Sequence, residues 1–210
     1  MKKIAALLFV FGFVVALSGC ATMNKNECRN ADWDLIGFED GSGGYALDRV
    51  GEHRKACAKV DVVPDMTAYE RGHAKGARQY CTSERGYREG VNGGNYRGIC
   101  PADLAPEFTR AYRDGQNLYA VKQQMNATAS ALSGYRARVE QLHTIIADHE
   151  RAIVDSRSSS VTRRESLAAI KDMQQEITEL EVNSVAADQE LMLLQGDYQS
   201  LLQQHREWGY

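Results

Sequence analysis

Residues 118–153, LYAVKQQMNATASALSGYRARVEQLHTIIADHERAI, decide the fold of the carboxy-terminal half. Leu118, Val121, Met125, Thr128, Leu132, Tyr135, Val139, Leu142, Ile146, His149 and Ile153 recur at alternating spacings of three and four. That spacing is the seam of a coiled coil. The polar segment 155–160 interrupts it, and Thr162 with Glu165 reads as a capping box opening a second helix. The second seam runs Ile170, Met173, Ile177, Leu180, Ser184, Ala187, Leu191, Leu194, Tyr198, Leu201, His205 and Trp208. With a turn near Ser159, Ile146 faces Met173, Leu142 faces Ile177, Val139 faces Leu180, Tyr135 faces Ser184 and Leu132 faces Ala187. Large residues then meet small ones, as constant packing density requires. The expectation is an antiparallel coiled-coil hairpin over 116–210, with arms of roughly 65 Å at about 1.5 Å per residue. Pairing of the two helices between subunits is the alternative. His149 and His205 fall on the seam near opposite ends of the hairpin, where they cannot share a metal within one chain; they read as polar register devices.

Upstream the composition changes. All three prolines and four of the five cysteines lie between 28 and 115 together with most of the aromatics, whereas only three glycines follow Gly115. This stretch reads as a compact, turn-rich domain. Asn30, Asp32 and Asp34 suit a capped helix start. Gly37 and Gly41 lie four apart on one helix face, where a missing side chain lets another backbone approach. Leu47, Val50, Cys57 and Val60 mark a second helix, and Pro64 opens a third that carries Tyr69, Gly72, Gly76 and Tyr80. Ala68-Tyr69-x-x-Gly72 recurs as Ala111-Tyr112-x-x-Gly115, read as an aromatic covering a glycine notch twice over. In 82–99, Asn92-Gly93 between two Tyr/Arg/Gly stretches predicts a β-hairpin. The fold class expected is mainly α: a small disulfide-stapled helical domain with one β-hairpin, then the long helical hairpin.

The amino-terminal end predicts location. Met1-Lys2-Lys3 precedes an uncharged apolar run, Ile4 to Leu17, that suits a signal peptide and falls short of a membrane span of about 20 residues. Leu17-Ser18-Gly19-Cys20 resembles a bacterial lipobox. Cleavage before Cys20 would leave 1–19 as leader and 20–27 as lipidated tether. Several acyl chains on Cys20 anchor far more firmly than one. Ala21, where an Asp would favour inner-membrane retention, points to the outer membrane, facing the periplasm. Losing Lys2 and Lys3 takes the formal net charge from -3 to -5, so no basic field suggests nucleic acid.

Cys28, Cys57, Cys81 and Cys100 then remain. An even number in an oxidising compartment reads as disulfides, with three connectivities open. Helix and hairpin geometry favours Cys28–Cys57 and Cys81–Cys100. No Cys-x-x-Cys pair supports a zinc site, and no metal or cofactor is expected beyond the lipid on Cys20.

Asp32-Trp33 with Gly37 and Asp40-Gly41, Cys57-Ala58, Tyr69-x-x-Gly72, Tyr80-Cys81, Gly86-Tyr87, Tyr96-x-Gly98-x-Cys100-Pro101 and Tyr112-x-x-Gly115 together carry a resemblance. Over residues 24–125, plus the lipobox, the chain resembles a family of proteobacterial lipoproteins known as domain of unknown function 2799. The resemblance implies a periplasmic lipoprotein and supplies no activity, cofactor or partner.

Motifs for catalysis are sparse. No Gly-x-Ser-x-Gly, His-Glu-x-x-His or phosphate-loop pattern occurs, and each cysteine available as nucleophile is a disulfide candidate. Asp32, Asp34, Glu39 and Asp40 form the best carboxylate group, with His53 and His73 on helices; caps and turns account for most of them. The expectation is not an enzyme. Tyr45, Tyr69, Tyr80, Tyr87 and Tyr96, with Arg85, Arg88 and Arg97, offer rings for stacking and guanidinium groups for carboxylate or phosphate. Core packing explains most of these tyrosines; Tyr87, Arg88, Tyr96 and Arg97 on the hairpin, with Asp40 and His53, are the candidate ligand-binding residues. Two functional classes follow. One is an envelope protein that uses its helical hairpin to bind another envelope protein or itself. The other is a peptidoglycan-binding module or hydrolase acting through the Tyr/Arg hairpin.

Overall fold

The computed structural model describes residues 22–210, so the leader and the lipobox with Cys20 lie outside the described residues. Seven α-helices follow in order: α1 (Lys25–Arg29), α2 (Trp33–Ser42), α3 (Val50–Cys57), α4 (Met66–Tyr80), α5 (Ser83–Val91), α6 (Ala105–Val154) and α7 (Ser160–Glu207). Short 3-10 turns, Leu47–Arg49 and Ala58–Val60, flank α3. The described residues contain no strand. The chain divides into two compact units. One comprises the described residues up to Arg85 with Tyr96–Phe108; the other comprises Gly86–Asn95 with Thr109–Tyr210.

The first unit is organised by α2 crossing α4. A Cβ on Gly37 would collide with the carbonyl of Tyr69, on Gly41 with that of His73, on Gly72 with that of Asp34, and on Gly76 with that of Phe38. Two glycines on each helix thus bring the backbones into direct contact. Asp32, not Asn30, caps α2, its side chain accepting from the amides of Asp34 and Leu35. Asn30 instead closes α1. The carboxylate at the cap faces the positive helix end, and the extended backbone of Asp32 suits that position. The helix ends with Gly44 at φ +82°, the Gly44 amide bonded to Gly41 O and the Tyr45 amide to Asp40 O. Met23, Cys28, Trp33, Val50, Cys57 and Tyr69 form the buried core of this unit. Both disulfides have the expected pairing, Cys28–Cys57 and Cys81–Cys100.

The expected β-hairpin is absent. Its first half is α5, and Asn92-Gly93-Gly94 terminates that helix: the Gly93 amide bonds to Gly90 O and the Gly94 amide to Glu89 O, with Gly93 at φ +67°. A glycine in the left-handed region serves a helix terminus as well as a hairpin turn, so the dipeptide alone does not choose between them. The Cys81–Cys100 pair forms without a hairpin because α5 and the following turn return the chain over the same short distance.

In the second unit Gly90 and Gly115 repeat the backbone contact on a smaller scale. A Cβ on Gly90 would strike Tyr112 O, and one on Gly115 would strike Tyr87 O. The sequence echo around Gly72 and Gly115 therefore marks two helix crossings in which backbone, rather than an aromatic ring, fills the notch. Helices α6 and α7 run antiparallel. Leu142, Ile146 and Ile177 share one buried cluster with Val139, Ile170, Met173 and Leu180 against it. Leu132 and Ala187 are both buried further along. Arg138 pairs with Glu176, Arg136 with Asp188, and His149 Nδ1 lies 3.2 Å from Ser166 Oγ. Every seam position from Leu118 to Ile153, and from Ile170 to His205, is buried or half-buried; Trp208, read as the last seam position, caps the helix instead and is 52 % exposed. The cap of α7 is Ser159, which accepts from the Thr162 amide, so the capping role falls three residues before Thr162.

Gly72→Ala should destabilise the chain by about 3 kcal/mol, because the added carbon meets rigid backbone rather than a flexible side chain. Gly51→Ala is the control: it sits in α3 with nothing within 4 Å of a Cβ and should stabilise by about 0.5–1 kcal/mol. Urea unfolding followed by circular dichroism checks both.

Candidate functional site

Where α2 meets α4, the residues beside the glycines become neighbours. Asp40 precedes Gly41, and Tyr69 precedes Gly72 by one turn. Tyr69 OH donates to Asp40 Oδ2 at 2.7 Å, and His53 Nε2, from α3, donates to the same oxygen at 2.8 Å. His53 Nδ1 lies 3.0 Å from Thr22 Oγ1. Arg49 stands 4.0 Å from Asp40 Oδ1, bonds Glu52 at 2.6 Å and lies over the Tyr45 ring. Asp40 is 8 % exposed, His53 5 % and Tyr69 0 %. The network is thus a buried, charge-assisted cluster drawn from three helices and the segment leading into α1.

Burial opposes ionisation of Asp40. The hydrogen bonds from His53 and Tyr69, and the charges of His53 and Arg49, outweigh it and hold the carboxyl below the ordinary carboxylate range. Burial, then the bond to Asp40 and its negative charge, push the Tyr69 hydroxyl far above the usual tyrosine range, so Tyr69 stays a donor.

A cleft of about 720 Å³ opens beside this cluster. Its walls include Thr22, Asn26, Glu39, Asp40, Arg49 and His53. The Thr22–His53–Asp40 chain has the connectivity of a hydroxyl–imidazole–carboxylate relay. The helix amides bordering it are already taken: Asn24 Oδ1 accepts from Asn26 and Glu27, and Asp32 Oδ1 from Asp34 and Leu35. The cluster therefore has a base and its orienting carboxylate, but these four amides are not free to hold an oxyanion. Among the described residues no three His, Cys, Asp or Glu side chains gather as a metal requires.

The remaining candidates separate. Tyr87 lies on α5 in the second unit, half-buried; its ring stacks on Tyr210 at 4.8 Å and its hydroxyl lies 3.0 Å from His205 Nδ1. Arg88 is exposed on the same helix. Tyr96 belongs to the first unit, where its ring packs on Phe108 and its hydroxyl accepts from the Cys100 amide. Arg97 lies 5.7 Å from the Tyr45 ring centroid. With the strands absent, Tyr87 and Tyr96 are not presented on a common hairpin, and each ring packs within its own unit. His205 is buried, and that burial lowers its pKa, with Asp114 opposing. Thr22, Arg49 and Tyr69 are the members of the buried cluster that the candidate list lacked. The glycines were the available signal for Tyr69, since a crossing at Gly41 and Gly72 brings Asp40 and Tyr69 together.

The described chain is thus a disulfide-stapled helical protein with a polar cluster beside a cleft, and no described helix is long and apolar enough to cross a membrane. Residues 32–117 match the model of the family described as Protein of unknown function (DUF2799), the family that the Asp32-to-Gly115 pattern resembles. No curated protein and no solved structure matches the chain.

Asp40→Asn should cost about 1–3 kcal/mol at pH 7, where a charge-assisted acceptor in a buried cluster is lost. Because the folded carboxyl titrates below its unfolded value of about 3.9, its contribution is complete above that pH and fades as pH falls through the lowered folded value. The stability gap between wild type and Asp40→Asn should stay level from pH 7 to 5 and shrink below about pH 4. Urea unfolding of both chains across that range measures it.

Proposed function

We propose that this protein is a lipid-anchored component of the outer membrane, facing the periplasm, whose paired long helices bind another envelope protein. One observation carries the reading. Helices α6 and α7, of 50 and 48 residues, bury a single narrow seam against each other along their length. Such helices span about 70 Å at 1.5 Å per residue. A coiled-coil rod of that length supplies reach and surface rather than an enclosed reaction chamber. Anchoring rests on the lipobox at Cys20, the basic leader and the even cysteine count that the two disulfides satisfy.

A second reading has one observation in its favour: the Thr22–His53–Asp40 chain opens on a cleft large enough for a small sugar or peptide. It makes the first unit a module for cell-wall material.

Cys20→Ser should release the protein from membranes as an unlipidated precursor, read by detergent partitioning. Leu132→Asp, at a buried seam position, should separate α6 from α7 locally at a cost of about 3 kcal/mol or more. Full-length protein carrying a photo-crosslinking residue at Thr178 should capture a discrete species in intact cells and lose it with Leu132→Asp. A chain that crosslinks to nothing along 160–207, or whose crosslinks survive Leu132→Asp unchanged, is not an interaction arm.

A further inference from the structure

Helix α7 carries two apolar faces, and α6 covers one. Val182, Val185 and Met192 each lie two residues from a position of the covered seam, Leu180, Ala187 and Leu194 respectively. Two residues correspond to about 200° around a helix, so these three point away from α6. They are 64 %, 59 % and 60 % exposed, with Leu193 beside them at 72 %. Val182, Val185, Gln189, Met192 and Gly196 repeat the three-four spacing, and none of them is charged. Leu193 and Leu167 also lie off the seam and are exposed, whereas Ile145 is half-buried.

Charge defines what can cover this face. From 172 to 204, α7 contains no lysine, arginine or histidine, and it contains seven acidic residues. Arg138 and Arg136 of α6 neutralise Glu176 and Asp188. Glu179 and Glu181 form no ion pair among the described residues and border the outer face, whereas Glu190 lines a recess with Ala131 and Tyr135 of α6 and Asp197 adjoins the seam residue Tyr198. A second copy of α7 laid here in either direction would bring acid against acid. An anionic lipid surface would be repelled in the same way. A helix with its own apolar seam bordered by lysines or arginines satisfies both the spacing and the charge.

We infer that the outer face of α7, centred on Val185 and Met192, is the docking site for a basic amphipathic helix of a partner protein. This rests on the interaction-arm reading above and names the face and the partner chemistry. The probes are two synthetic helical peptides with one leucine seam at three-four spacing, flanked by lysine in one and glutamate in the other. Fluorescence anisotropy with the full chain at low salt should show binding of the lysine peptide and little of the glutamate peptide. The uncharged double variant Val185→Ser/Met192→Ser should weaken the lysine peptide at least about tenfold, since two exposed apolar side chains lose their contact area. Both positions are exposed, so helicity by circular dichroism should stay unchanged. Glu179→Lys/Glu181→Lys should reverse the peptide preference. Equal binding of the two peptides, or binding of neither, overturns the inference. So does a chain dimer in sedimentation, or attachment to phosphatidylglycerol vesicles, that the serine variant abolishes. If the crosslinks from Thr178 persist in cells while the peptides are not distinguished, the arm reading stands and this one falls; if both fail, both are removed.

Discussion

The contact on which the first unit depends is the backbone crossing of α2 and α4 at Gly37, Gly41, Gly72 and Gly76. It replaces side-chain packing with carbonyl and amide groups lying directly on the facing helix. A small domain gains from this because it has few residues with which to build a core. The geometry also sets the chemistry. With the helices so close, Asp40 and Tyr69 come within hydrogen-bond distance, although 28 residues lie between them in sequence. At an ordinary helix separation of about 8–10 Å, Tyr69 would need a different partner.

The two disulfides and the Asp40 cluster hold the pieces that the crossing does not reach. Cys28–Cys57 ties α1 to the end of α3, and His53 of the same α3 reaches Asp40 of α2. Thr22 joins through His53, and Met23 is buried against Cys57 with sulfur atoms 3.9 Å apart. Covalent and charge-assisted bonds thus converge on α3, a helix of eight residues too short to hold its place by propensity alone. A buried carboxylate is acceptable here because donors occupy one oxygen and a guanidinium stands near the other.

Much of this could be read from the sequence, and the failures have identifiable causes. The long helices were legible residue by residue: the spacing from Leu118 to Ile153 and from Ile170 to His205 is the covered face, and Leu142 with Ile177 share its best-buried cluster. Gly37 and Gly41 were legible as a site of close backbone approach, whereas Gly72 and Gly115 read as notches under an aromatic ring and are filled by backbone instead. Both disulfides were paired as found. The β-hairpin failed at Asn92-Gly93, where a left-handed glycine ends a helix instead of turning a ribbon. Gly86 and Gly90 stand four apart, as Gly37 and Gly41 do, and both are buried along α5. The candidate site was half legible. Asp40 and His53 were named, but Thr22 and Arg49 carry no local signal, since their roles follow only from how α3 folds back.

The two units reach stability by opposite routes, and the difference bears on what each can do. In the first, glycine contacts and a buried ionic cluster fix positions, so an atom added at Gly37, Gly41, Gly72 or Gly76 meets the facing backbone at once. That rigidity suits a site whose groups must keep one geometry. In the second, the seam uses ordinary apolar side chains, with Ala187, Ser184 and Ser166 where it narrows, and each position contributes separately. Helices built this way tolerate change on their outer surfaces, because an exposed residue on α7 does not touch the seam. Unconstrained by folding, the outer face of α7 nonetheless holds two valines and a methionine in helical register with a leucine beside them, bordered by Glu179 and Glu181, which form no ion pair among the described residues. Exposed apolar residues scattered singly require no explanation, but a line of them at the spacing of a helix interface does. Folding accounts for the inner face of α7; it does not account for the outer one.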